Sequence, residues 1–251
     1  MLGGFIRGLL RKKRRAAENP ATETSVASRQ WLADAIDCQN RGQLGEAEWL
    51  YRRILAGEPG RLDVMHLLGR VLTLQGQLGE AVDLLQQVTA RAPESPPVHF
   101  NLALALLMTG DLARGWREYE WRFEQIGVPP RLALPQPEWQ GEDLAGKSIL
   151  VWNEQGIGDQ IWFAGLLPEL IERARRCTLL CAPKLVALFA RSFPDAHVTA
   201  QINATNSAGV FDVQVAAGSV ARWLRPTLAS FPKRRGYLVA DSQRIAYWRE
   251  R

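Results

Sequence analysis

The segment GQLGEA stands at Gly42–Ala47 and again, letter for letter, at Gly76–Ala81, and GDLARG at Gly110–Gly115 continues the same 34-residue step. The register holds around these blocks. Pro59 and Pro93 are one step apart, Tyr51, Leu85 and Tyr119 recur as large residues, and Ala35, Gly69 and Ala103 recur as small ones. Two helices approach closely only where side chains are small, so Ala35, Gly69 and Ala103 are expected to face Ala47, Ala81 and Gly115 in three antiparallel hairpins. Gly42, Gly76 and Gly110 fall where a first helix closes in a left-handed cap, and Pro59 and Pro93 stop the second helix. The spacing predicts hairpins at about residues 29–58, 62–92 and 96–126.

This is the pattern of a tetratricopeptide repeat, and three copies are the minimum for a stable stack. Such a stack exposes a concave face built from its first helices. Arg29, Leu32, Ile36, His66, Arg70, Thr73, Phe100, Asn101 and Leu104 are expected to point into it, with a protein or peptide as the partner. A structural spacer whose groove is filled by its own chain is the alternative. No Lys and Asn array recurs in register to hold a terminal carboxylate, and Asn101 has Ala33 and Leu67 as its counterparts, so no asparagine ladder is expected.

Charge narrows the partners further. The net charge is +5, but six of the 31 basic residues lie in residues 1–15, which hold no acid, leaving 25 bases against 26 acids elsewhere. Basicity is a property of one tail, and no nucleic-acid partner is expected. In that tail Leu2, Phe5, Ile6, Leu9 and Leu10 recur at helical spacing before the cationic block, the reverse of a secretory signal. Residues 1–27 are therefore either an amphipathic leader making weak contact with an anionic membrane surface or a disordered basic tail. The expected location is cytoplasmic, with the first alternative placing the chain peripherally at the inner membrane. No run approaches the ~20 apolar residues of a membrane-crossing helix.

Three cysteines, Cys38, Cys177 and Cys181, form an odd and sparse set that fits a reducing compartment. The pair in CTLLC is expected as buried thiols, since no further ligands accompany it, and His66, His99 and His197 are scattered. No metal site and no cofactor are expected.

From Val128 the chain turns Pro-rich, and residues 128–146 read as a linker. Residues 147–251 change period: Ser148–Asn153 is strand-like, Glu154–Asp159 (EQGIGD) a glycine turn, and Gln160–Arg173 a one-faced helical stretch. Further strands are expected at Cys177–Cys181, His197–Ala200, Phe211–Val215 and Tyr237–Val239, with helices at Pro183–Phe193 and Ser219–Leu224. The fold class is thus α plus α/β: helical repeat hairpins followed by a single doubly wound, Rossmann-like parallel-sheet domain. The turn is not a dinucleotide fingerprint, because Ile161 occupies the third glycine position, nor a P-loop, because no Lys-Ser or Lys-Thr follows at the required spacing. Glu154, Gln155, Gly156 and Gly158 are candidates for a ligand loop, with Asp159, at the strand's carboxyl edge. Trp139, Trp152 and Trp162 are either sugar-stacking or buried aromatics. Asn203-Ala204-Thr205 is a formal glycosylation sequon read as a polar surface loop.

The run Pro137–Leu150 (PEWQGEDLAGKSIL) followed by Glu154–Phe163 (EQGIGDQIWF) resembles the junction in bacterial proteins that join tetratricopeptide repeats to a heptosyltransferase-like GT-B domain. By that resemblance Asp159 is the general base that deprotonates an acceptor hydroxyl, and the second partner is a glycan acceptor. The competing role for Asp159 is a helix N-cap. A GT-B enzyme holds its nucleotide-sugar donor in a second domain of roughly 150 further residues, whereas residues 147–251 match an N-terminal half alone. The resulting expectation is a binding or adaptor protein. The alternative is a glycosyltransferase completed by a C-terminal domain.

Overall fold

The structure, a computed structural model, describes residues 20–125, 130–202, 210–234 and 236–251, with side chains from residue 27 onward. The basic leader over residues 1–15 and the sequon at Asn203 lie outside the described residues. Chain contacts divide the protein into two compact units, Met1–Ala105 and Leu106–Arg251, so the division falls within the third repeat rather than after it.

The first unit is built of helices α1 (Pro20–Asn40), α2 (Leu44–Gly57), α3 (Leu62–Leu74) and α4 (Leu78–Arg91), followed by the start of α5 (Pro96–Thr109). Each first helix closes in the same way. Gly42, Gly76 and Gly110 have φ of 74°, 78° and 86°, a conformation that glycine adopts without steric cost. Gly42 and Gln43 donate to the carbonyls of Gln39 and Cys38, and the bonds Gly76 to Thr73, Gln77 to Leu72, Gly110 to Leu107 and Asp111 to Leu106 repeat the motif. This double bond satisfies carbonyls left over at a helix end. It explains why the glycine keeps its place in every copy.

The small residues Ala35, Ala47, Ala81 and Ala103 are fully buried. The glycines meet large neighbours instead of small ones: a Cβ on Gly69 would lie 2.7 Å from Leu85 Cγ, and one on Gly115 would lie 2.7 Å from Leu107. Leucine fills the space that the glycine vacates, so each close approach is a packed contact. Neighbouring second helices are also tied on the surface, where Arg52 of α2 makes a two-pronged pair with Glu80 of α4 at 2.6 and 2.8 Å.

The second unit opens on the end of α5 and the short α6 (Leu112–Tyr119), which tightens into a 3-10 turn over Glu120–Glu124. A parallel sheet follows, with β1 (Ser148–Trp152), β2 (Arg176–Leu180), β3 (Ala196–Thr199) and β4 (Val213–Ala216) in the spatial order β3-β2-β1-β4. Ile149 pairs with Cys177 on one side and Val213 on the other. All five residues of β1 are buried, as expected for a parallel strand covered on both faces. The strand order reverses at β1, which makes its carboxyl edge the switch point of the sheet.

Three expectations change. Gln160–Arg173 is not one helix: α7 (Ile157–Phe163) passes through a 3-10 turn at Ala164–Leu166 into α8 (Leu167–Arg173). Pro168, without an N–H, cannot continue the α-helical hydrogen-bond pattern across that point. Tyr237–Val239 is not a strand, and the backbone of Val239 is taken up by side chains. Ser192 Oγ accepts from Val239 N–H, and Arg191 donates to the Val239 carbonyl. The stretch expected as a linker runs along β4, with Trp139 N–H donating to the Gln214 carbonyl and Gln214 N–H to the Pro137 carbonyl. Its Trp139 is 1% exposed. Beyond the sheet, α9 (Val186–Ser192), α10 (Val220–Leu224) and α11 (Ser242–Arg249) complete the described helices.

Candidate functional site

The loop after β1 is fixed from below by one guanidinium. Arg122, in the 3-10 turn after α6, has a side chain 3% exposed, and Glu154 opposite it is 2% exposed. Nε and Nη2 donate to Glu154 Oε1 at 3.1 and 2.9 Å, Nη2 also to Ser219 Oγ at 2.8 Å, and Nη1 to Glu120 Oε1 at 3.0 Å and the Tyr119 carbonyl at 3.2 Å. The planar fork thus meets two carboxylates and two neutral oxygens at once. Glu120 also accepts from Arg131, which reaches on to Glu138. The ring of Phe123 lies under both guanidinium groups at 4.0 and 4.2 Å.

Burial pushes the Glu154 carboxyl above the usual carboxylate range, and Arg122 and the backbone N–H groups of Glu154 and Gly218 pull it back only in part. Glu120 goes the other way: its burial is outweighed by Arg122, Ser219 and Arg131, which hold it below that range. Gly218 has no room for a side chain, since a Cβ would stand 2.8 Å from Glu154 Oε1 and 3.2 Å from Arg122 Nη2.

The rest of the loop is pinned laterally. Gln155 Nε2 donates to the Tyr119 hydroxyl at 2.7 Å; Gln160 Nε2 donates to the Gln155 carbonyl while its Oε1 accepts from Ala182 N–H, each at 2.9 Å. Asn153 Nδ2 donates to the Leu180 carbonyl. Glu154 and Gln155 are therefore anchors, with their polar ends turned into the protein. Gly156, Ile157, Gly158 and Asp159 are exposed. Gly156, not Asp159, is the N-cap residue of α7. Asp159 sits in the first turn, where a carboxylate is favoured by the helix dipole without capping the helix. It stands at the carboxyl edge of β1.

Sequence reasoning missed Arg122, Tyr119, Gln160 and Ser219. Tyr119 reads from its spacing as a repeat packing residue, Gln160 as one letter of the glycine-turn motif, and Arg122 lies 32 residues before its partner. The Trp alternatives resolve separately: Trp139 and Trp152 are buried, and Trp162 is 55% exposed. Cys177 and Cys181 are buried, which pushes their thiols up to about 12 and about 11. Among the described residues no group of three or more His, Cys, Asp or Glu could hold a metal ion.

The residues expected in the repeat groove lie in the first unit. Ile36 and Leu104 are 39% and 37% exposed, Arg29 and Arg70 are exposed, and Leu32, His66, Phe100 and Asn101 are half-buried. Thr73 is turned inward, and its hydroxyl donates to the Gly69 carbonyl. Asn101 Nδ2 and His66 Nε2 are 2.6 Å apart. Burial lowers the His66 pKa below its ordinary value, the Pro97 carbonyl offsetting this in part, so the neutral ring accepts from Asn101 at Nε2. The unfolded chain takes up a proton at His66 before the folded one does. Stability is therefore expected to fall as pH drops below about 6.5, and His66→Gln to flatten that dependence in urea midpoints between pH 7.5 and 5.5.

The fold joins recurring helical hairpins to a parallel α/β unit. The family model described as "Tetratricopeptide repeat" matches residues 41–99 and 72–115. The chain is similar to Protein FlbA of Caulobacter vibrioides, 34% identical over 183 residues, covering 65% of this chain and 31% of that protein. It spans about a third of that relative's length. A solved mutant O-GlcNAc transferase from Thermobaculum terrenum aligns over 63% of this chain and 38% of its own at 17% identity, with a TM-score of 0.38. Among the described residues no helix is long and apolar enough to cross a membrane.

Proposed function

We propose that this protein is a recognition module that holds an extended segment of a protein partner against the first helices of its repeats. The support for this reading is the exposure of individual first-helix residues. Ile36 and Leu104 leave apolar surface open to solvent, and Arg70 has no hydrogen-bond or ion-pair partner among the described residues. The experiment is co-purification from the native host with the full chain and with the triple variant His66→Ala, Arg70→Ala, Phe100→Ala. A partner retained by the first and lost by the second supports the reading, and equal retention removes it.

A second reading has its own support. Asp159 is exposed in the first turn of α7, just after a loop held by Arg122, Tyr119 and Gln160, the preorganisation that a positioned general base needs. With the resemblance of EQGIGD to heptosyltransferase-like domains, this assigns Asp159 to the acceptor hydroxyl of a sugar transfer completed by a donor-binding part. The protein as encoded in its gene, assayed with nucleotide-sugars, is expected to lose transfer on Asp159→Asn. Transfer unaffected by that change ends the reading.

A further inference from the structure

Trp31, Met65 and His99 hold the same place in successive repeats. In a stack each repeat covers the face of its neighbour, and Met65 and His99 are 5% and 7% exposed. Trp31, on the first described repeat, is only half-buried. Its cover comes from its own hairpin: the guanidinium of Arg53, on α2, lies over the Trp31 ring at 4.1 Å and over the Trp49 ring at 5.1 Å. Trp49 is 58% exposed. Two indoles bridged by one cation therefore form a patch centred on a second helix, outside the first-helix face described above.

The charges around this patch are unevenly used. Arg52 is shared between Glu48 and Glu80, Asp37 holds Arg41, and Asp34 accepts from Gln30. Glu46 and Arg53 have no hydrogen-bond or ion-pair partner among the described residues. Glu46, Trp49 and Arg53 follow one another at steps of three and four residues, which sets them along one face of α2. The indole thus stands between an unpaired anion and an unpaired cation. At the helical rise these lie about 4.5 and 6 Å from it along the axis. Two such helices crossing antiparallel about a two-fold axis at Trp49 bring Glu46 of each copy beside Arg53 of the other.

We propose that this patch is the interface of a homodimer, in which α2 packs antiparallel on α2 of a second copy, with Trp49 at the centre and a Glu46–Arg53 pair on either side. A two-fold interface has to be complementary to itself, and the order anion, aromatic, cation meets that condition when it is reversed. Tryptophan and arginine are the residues that most often carry an interface. Arg53 is already held by its two rings, so docking costs it little further side-chain freedom. The dimer uses neither the groove residues nor Asp159.

Sedimentation equilibrium of the full chain across the micromolar range tests this, and a species of twice the 28.1 kDa chain mass is expected. Trp49→Ala, at an exposed position, is expected to weaken the dimer by at least about tenfold with the circular dichroism unchanged. Arg53→Glu and Glu46→Arg each set like charges face to face and are expected to weaken it as well. The double variant Arg53→Glu, Glu46→Arg restores the pairs in the opposite sense and is expected to recover the dimer. A chain that stays monomeric, as it would were the patch kept for a different protein, would overturn the proposal. So would a dimer that Trp49→Ala or the single charge reversals leave intact, or a double variant that recovers nothing.

Discussion

Arg122→Ala is expected to destabilise the second unit by about 3–5 kcal/mol, the cost of leaving a buried charge without its partner. The basis is the near-complete burial of Arg122 and Glu154 and the five bonds that converge on the guanidinium. Removing it leaves Glu154 to the backbone N–H groups of Glu154 and Gly218 alone, and Glu120 to Arg131 and Ser219. A urea titration followed by tryptophan fluorescence reads the loss. The double variant Arg122→Met, Glu154→Leu removes both charges and is expected to recover a large part of it, because a buried ion pair contributes little beyond its apolar replacement. If Arg122→Ala unfolds at the wild-type midpoint, the network is not what holds the loop.

Trp139→Ala is the other large effect, again about 3–5 kcal/mol for a big aromatic truncated in a closed core. The residue sits in a stretch whose composition reads as a linker, where the same change would cost next to nothing. It is 1% exposed, its Nε1 donates to the Glu142 carbonyl at 2.8 Å, and its ring meets Trp223 edge-on. The two expectations differ by several kcal/mol, and the same urea titration separates them.

The repeats were legible because their constraints are local and recur. A glycine at positive φ in each cap, a small residue at each close approach and a proline after the first two second helices mark the chain at fixed intervals. The first four strands were legible from short apolar runs. Tyr237–Val239 was not, because strand-like composition says nothing about whether a neighbouring edge is free, and here Ser192 and Arg191 take up the backbone of Val239. The glycine turn and Asp159 could be found from spacing. The partners that fix them could not: Arg122 and Tyr119 belong by sequence to the last repeat and by contact to the sheet. Glu154 shows the limit most plainly, since a carboxylate beside two glycines reads as a ligand group and is in fact spent on an internal ion pair. The linker failed for a related reason, as prolines are also compatible with an extended segment laid along an edge strand.

The central claim is that the first-helix face of the repeats is where a protein partner lies. Placing a photo-crosslinking side chain at Leu104, expected on that face, and separately at Gln87, exposed on the second helix α4, tests it in the native host. The account predicts one discrete adduct from Leu104, absent from Gln87 and suppressed by Arg70→Ala. Equal adducts from both positions, or none from Leu104, would contradict it.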